Sequence, residues 1–154
     1  MEGLDYDQTF APIVKFASFR TVLAIAAERN WEIHQMDVKA AYLNSKLEEE
    51  IFMHPPPGFD IPEGMVLKLI KAVYGTKQGG RVWYEDIRQT LREMGYERIE
   101  ADHAVFVRHL NSTLSIIILY VDDITMLGNN LDVILQDKKA LQQRYQMTDL
   151  GEIS

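Results

Sequence analysis

The sequence predicts an α+β domain on a ferredoxin-like split βαβ plan, an antiparallel sheet with its helices on one face. Three observations predict it. Strand-like and helix-like stretches follow one another as β-α-β-β-α. The central β-β pair is a single apolar run, SIIILYVDDITML from Ser115 to Leu127, broken only by two aspartates. The composition, 47% hydrophobic and 25% charged over 154 residues, is that of an ordinary globular chain large enough for one core, so residues 1–154 read as one domain.

Each element has a local reason. After Pro12, the run KFASFRTVLAIAAERN is rich in helix formers, with Asn30 as its stop. Trp31 to Val38 carries apolar residues at 31, 33, 36 and 38, an imperfect alternation that predicts a short strand. Val38 to Asn44 reads as a compact turn or helical segment. Glu50 to His54 reads as a strand stopped by Pro55-Pro56-Pro57-Gly58, and Met65 to Ile70 as another. From Gly79 to Gly95, Val82, Trp83, Ile87, Leu91 and Met94 fall at helical spacing, and Gly95 suits the C-terminus. Ala104 to Arg108 reads as a strand. The run from Ser115 folds back at Asp122-Asp123 as a hairpin, although its turn lacks an Asn-Gly or Asp-Gly pair. Leu131, Ile134, Leu135, Lys138, Leu141 and Tyr145 then mark an amphipathic helix. The closing strand of the motif is expected to be missing, because Leu150 to Ser154 ends about where it would begin. An uncovered sheet edge would follow, and with it a homodimer or a protein partner covering that edge.

Several classes are excluded by composition. With no cysteine there is neither a disulfide framework nor a thiolate metal site. The N-terminus MEGLDYDQTF lacks the apolar core of a signal peptide, and no run approaches the roughly 20 residues of a membrane helix. A soluble, intracellular chain with no membrane partner is the expectation. The net charge of −7 means that any polyanion would meet a local basic patch or a metal ion.

Adjacent aspartates inside an apolar run need a reason, since a buried carboxylate is costly unless paired or bound to a cation. Asp37 closes the first strand of the motif, and Asp122 and Asp123 sit at the hairpin tip. The topology can bring them together although 85 positions separate Asp37 from Asp122. Three such carboxylates repel unless cations hold them. Oxygen donors alone favour Mg²⁺ or Mn²⁺, and two such ions about 3.5–4 Å apart serve in-line phosphoryl transfer. The plainer alternative is that Asp-Asp at a hairpin tip is a solvated turn. Lys39, Lys68, Lys71, Lys77 and Arg81 are candidate phosphate contacts, Arg81 foremost because it opens a helix facing the site, although each alone also reads as a surface charge. His34, His54, His103 and His109 have no metal-ligand spacing.

An ordered set of segments resembles the reverse transcriptases of copia-type long-terminal-repeat retrotransposons. These are Thr9-Phe-Ala-Pro12, Trp31 to Asn44 (WEIHQMDVKAAYLN), Pro56-Pro-Gly-Phe59, Lys71 to Gln78 (KAVYGTKQ), Arg81-Val-Trp-Tyr84, Tyr120-Val-Asp-Asp123 and Thr148-Asp-Leu-Gly151. The resemblance implies the palm and part of the fingers of a right-hand polymerase, with two Mg²⁺ or Mn²⁺ ions. It implies Asp37, Asp122 and Asp123 as catalytic carboxylates and the Val38 carbonyl as a further metal ligand. Tyr42 would be the aromatic that excludes a ribose 2′-hydroxyl, and Gln78 would contact the incoming nucleotide. Tyr120 would lie near the primer terminus. The partners implied are an RNA or DNA template with primer and a dNTP, in a cytoplasmic particle or the nucleus. The family's upstream fingers hairpin, primer grip, thumb and ribonuclease H are expected to be absent. Gly79-Gly80 stands where proline is usual at position 80, and Ser45 where glycine is usual, so looser nucleotide positioning is expected. The second function open to such a chain is a catalytically silent, truncated retroelement derivative that binds protein or nucleic acid.

Overall fold

A computed structural model describes residues 11–153, apart from the side chains of residues 46–49 and 77. Thr9, Phe10 and Ser154 thus lie outside the described residues, as does the Lys77 side chain. The elements run α1 (Phe16–Glu28), β1 (Glu32–Val38), α2 (Ala41–Asn44), β2 (Lys46–Met53), β3 (Leu67–Lys71), α3 (Lys77–Glu93) and β4 (Glu97–Arg98). Then follow β5 (Val105–Leu110), β6 (Thr113–Tyr120), β7 (Asp123–Gly128), α4 (Leu131–Arg144) and β8 (Met147–Glu152).

The main sheet has the order β4-β5-β6-β7-β1-β8, and β2 and β3 form a separate two-stranded sheet. Every pairing in both is antiparallel. The first strand of the motif therefore sits beside the hairpin that carries Asp122 and Asp123, as the sequence predicts.

Two expectations are corrected. The closing strand is present: β8 pairs with β1 through Val38–Met147, Asp37–Thr148 and His34–Glu152. Its residues TDLGE do not alternate, so periodicity hides it. What pins it is a buried polar link, since Lys138 on α4 donates to the Asp149 carboxylate at 2.6 Å and lies 2.9 Å from Nδ1 of His34 on β1. The argument for a partner covering an absent strand disappears with that strand.

Nor are the helices confined to one face. Trp83, Tyr84, Ile87 and Leu91 of α3 and Ile134 and Leu141 of α4 pack on Met36, Val38, Ile117, Leu119, Ile124 and Met126. The alternate residues of the same strands, Ile33, Ile116, Ile118 and Leu127, meet Phe19, Val22, Leu23 and Ala26 of α1 on the opposite face. α1 leaves the end of that second face near Asp123 uncovered.

In α4 the buried stripe is Ile134, Asp137, Lys138 and Leu141, while Leu131 and Leu135 are exposed. The two charged members are satisfied. Arg108 grips Asp137 with both terminal nitrogens, at 3.0 and 2.6 Å, and the Tyr96 hydroxyl donates to the same carboxylate at 2.7 Å. No helix among the described residues is long and apolar enough to cross a membrane.

Candidate active site

The site is organised around the turn between β6 and β7. Tyr120 and Asp123 are register partners, which leaves Val121 and Asp122 as a two-residue turn. Val121 adopts φ +57°, a conformation that a two-residue hairpin demands and that glycine or asparagine usually supplies. For a β-branched residue this is a strained state, costing about 1–3 kcal/mol and kept only where its surroundings enforce it. The enforcing contact comes from α3. The Trp83 indole N–H donates to the Val121 carbonyl at 2.8 Å, while its ring lies edge-on to Tyr145 with centroids 5.2 Å apart.

Asp37 and Asp123 are direct partners in the β1–β7 register. The Val38 N–H donates to the Asp122 carbonyl at 2.8 Å. By the alternation of an antiparallel ladder, Asp37 and Asp123 are then a pair without mutual hydrogen bonds, the kind in which side chains come closest. Both are half-buried and share a sheet face. The Gln35 side chain, two residues before Asp37 on that face, donates to Asp123 Oδ1 at 3.1 Å.

Asp122 is held from another direction. The Tyr74 hydroxyl, in the loop between β3 and α3, donates to Asp122 Oδ2 at 3.0 Å. Burial, that hydrogen bond and the negative charges of Asp122 and Asp37 push the Tyr74 hydroxyl up to about 12, so it remains a donor at neutral pH. Its ring stacks on Tyr42, with centroids 4.3 Å apart and planes 23° from parallel. Tyr42 in turn lies over the first turn of α3. A Cβ at Gly79 would stand 3.3 Å from its ring, and one at Gly80 3.4 Å from its hydroxyl. The glycine pair is thus buried helix under an aromatic ring, not a loose loop. Its backbone freedom is spent on close approach.

Tyr42 is presented by a tightly made turn. Ala40 takes φ +49°, and the Asn44 amide donates to the carbonyls of Lys39, Ala40 and Ala41 at 3.3–3.4 Å, closing the corner after β1. Gln78 is half-buried in the first turn of α3, next to the glycine pair. Lys39 and Arg81 are exposed; Lys68 is ion-paired with Glu50. Tyr120 is 54% exposed and borders a cavity of about 350 Å³ on the uncovered sheet face, which Val14, Phe16, Phe19, Gln35 and Asp123 also line.

Among the described residues no three His, Asp or Glu side chains are gathered as a ready cage for a metal ion. Asp37 and Asp123 face each other, while Asp122 leans to Tyr74. The donor set nevertheless suits a hard divalent cation, being carboxylate and carbonyl oxygen alone.

Three contacts lie outside what the sequence predicts. Gln35, Tyr74 and Trp83 each hold one member of the consecutive trio Asp123, Asp122 and Val121. Only for Trp83 was there a signal: a helix-buried indole N–H needs an acceptor.

The family model for reverse transcriptase (RNA-dependent DNA polymerase) matches residues 1–154. The chain belongs to that reverse transcriptase family. Among its relatives is a retrovirus-related Pol polyprotein from transposon TNT 1-94 of Nicotiana tabacum, 39% identical over 153 residues, or 97% of this chain and 12% of the relative. The Pol polyprotein from transposon RE2 of Arabidopsis thaliana is 39% identical over 150 residues, 96% of this chain and 10% of the relative. A Ty1-BL Gag-Pol polyprotein of Saccharomyces cerevisiae is 34% identical over 135 residues, 86% of this chain and 7% of its own length. The plant relatives are copia-type transposon polyproteins, as the motif set implied. The chain spans only about a tenth of the length of those polyproteins. No solved structure matches it.

Proposed function

We propose that this chain carries the nucleotidyl-transfer site of an RNA-directed DNA polymerase, its main sheet with α3 and α4 serving as the palm and β2–β3 as part of the fingers. The observation that carries the reading is the β1–β7 register, which sets Asp37 opposite Asp123 beside a strained turn bearing Asp122. Like charges directly opposed across a strand pair destabilise a sheet. Evolutionary membership in a polymerase family supplies the reason to keep them.

Asp37, Asp122 and Asp123, with the Val38 carbonyl, would hold two Mg²⁺ or Mn²⁺ ions, which when bound supply charge stabilisation for in-line displacement. The chain's own residues do the positioning. Tyr42, backed by α3, forms a stiff wall against a ribose 2′-hydroxyl, and Gln78 donates to the incoming nucleotide. Tyr120 seats the primer end on the exposed sheet face. Lys39, Lys77 and Arg81 meet template and triphosphate phosphates, a sequence-independent and salt-sensitive contribution.

Primer extension on RNA and DNA templates tests this, with wild type beside Asp122→Asn in Mg²⁺ and in Mn²⁺. Extension that disappears in the variant is expected. Salt-sensitive primer-template binding without extension, in folded and metal-replete protein, would overturn the enzyme reading in favour of a binding module derived from a retroelement.

A further inference from the structure

The contacts at Tyr74 join two parts of the site that have no common element. Its hydroxyl reaches the Asp122 carboxylate at 3.0 Å, and its ring stacks on Tyr42 at 4.3 Å. Tyr42 is closed in on the α3 side by Gly79 and Gly80, where even a methyl group would touch it at 3.3–3.4 Å. A sugar pressing on the Tyr42 ring therefore has Tyr74 as its yielding neighbour. Resting on the polymerase reading above, we propose that Tyr74 is a positioning residue that couples the sugar wall at Tyr42 to the orientation of Asp122.

The chemistry separates into two halves. A carboxylate has about four lone-pair directions, so a hydroxyl on Oδ2 leaves sites free for a cation while fixing the rotation of the group. Hydrogen-bonded partners of this kind around ligating carboxylates typically change metal affinity 10- to 100-fold when removed. The ring half acts by contact: displacement of Tyr42 by a bulkier sugar moves the phenol and with it the oxygen that steadies Asp122. A misfitting sugar is then penalised twice, by the wall and by a poorly oriented carboxylate.

Two substitutions divide the halves. Tyr74→Phe keeps the stacked ring and removes the donor, whereas Tyr74→Leu removes both. Mn²⁺ affinity of the 154-residue chain, measured by calorimetry without substrate, is expected to fall about tenfold or more in Tyr74→Phe. The thermal midpoint should stay near wild type, because the hydroxyl lies on a residue that is 55% exposed. The ratio of kcat/KM for deoxyribonucleoside over ribonucleoside triphosphates should fall partway in Tyr74→Phe, which keeps the wall but loses the penalty at the carboxylate, and collapse in Tyr74→Leu. Wild-type Mn²⁺ affinity unchanged in Tyr74→Phe, or increased because the hydroxyl merely competes with the ion, overturns the coupling and leaves the polymerase reading intact. Absence of any Mn²⁺ affinity that Asp122→Asn removes overturns both.

Discussion

Replacing Asp37 with asparagine should make the metal-free protein more stable while abolishing the nucleotidyl transfer proposed for it. The register sets Asp37 opposite Asp123, and Cβ atoms of such a pair lie about 4.5–5.5 Å apart. Two carboxylate charges about 6 Å apart repel by about 0.7 kcal/mol in bulk water and about 3 kcal/mol at an effective dielectric of 20. Both side chains are half-buried, and measured cross-strand charge effects lie at about 0.2–1 kcal/mol. A gain of about 1 kcal/mol follows, or about 2–4 °C in thermal midpoint for a chain of this size. The Gln35 bond to Asp123 survives the substitution, so nothing else in the pair is lost. Urea unfolding in chelator measures it, with the slope required to stay constant. Added Mg²⁺ should then stabilise wild type by linkage, about 2.7 kcal/mol at a hundredfold excess over Kd, and the variant far less, so the order inverts. A variant less stable than wild type in chelator, or equal stabilisation of both by Mg²⁺, refutes the reasoning.

The remaining predictions concern the scaffold. In α3, Gly79→Ala would drive a methyl group to 2.6 Å from the Thr76 hydroxyl and 3.2 Å from the Val73 carbonyl, two groups already hydrogen-bonded to each other at 2.7 Å. A loss of about 1–3 kcal/mol in urea unfolding is expected. Gly80→Ala meets its neighbours at 3.4 Å and above and should be neutral or stabilising by up to about 1 kcal/mol, from helix propensity. Acidification should weaken the β8 clasp. Burial and the Lys138 charge hold His34 below its ordinary 6.5. The unfolded chain then takes the proton first, and stability falls as pH drops below about 6.5. Burial opposes ionisation of Asp149, but hydrogen bonds from Lys138 and the Gly151 N–H leave it below 3.8, so its share is lost only as pH falls through that lower value. His34→Gln should flatten the first of these losses in urea midpoints measured across the range.

Elements whose apolar residues meet one continuous surface were legible in the sequence. β1, α3 and the β6–β7 hairpin emerge close to their predicted bounds because burial on one face imposes a period. β8 was not legible, since its fixing contacts are charged and come from α4 and β1 rather than from its own pattern. The stripe of α4 was legible only in part: Ile134, Lys138, Leu141 and Tyr145 are buried as their spacing implies, but Asp137 is buried through a partner 29 positions away, and Leu131 and Leu135 are exposed. At the site, residue types named Asp37, Asp122 and Asp123. The donors around them, Gln35 on Asp123, Tyr74 on Asp122 and Trp83 on the Val121 carbonyl, act through tertiary contacts that no local spacing encodes. The turn falls one residue earlier than the Asp122-Asp123 break suggests, at Val121-Asp122, and the missing Asn-Gly or Asp-Gly pair is compensated by an indole 38 positions upstream that holds Val121.

The position of β1 between β7 and β8 has a kinetic consequence. Asp122 and Asp123 belong to a hairpin spanning residues 113–128, whose closure is local and belongs to the microsecond class. Asp37 joins them only when a strand near the start of the chain is bracketed by two from its end, the Val38–Met147 pairing alone spanning 109 positions. Closing loops of that length must be completed before any contact rewards them, which places this step late and makes it slow. In a refolding chain the aspartate hairpin is therefore expected to close before the third carboxylate joins it. Any cation affinity built on Asp37 appears with the last long-range pairing, so the rise of metal binding after a refolding jump would time the moment at which β1 is threaded into the sheet.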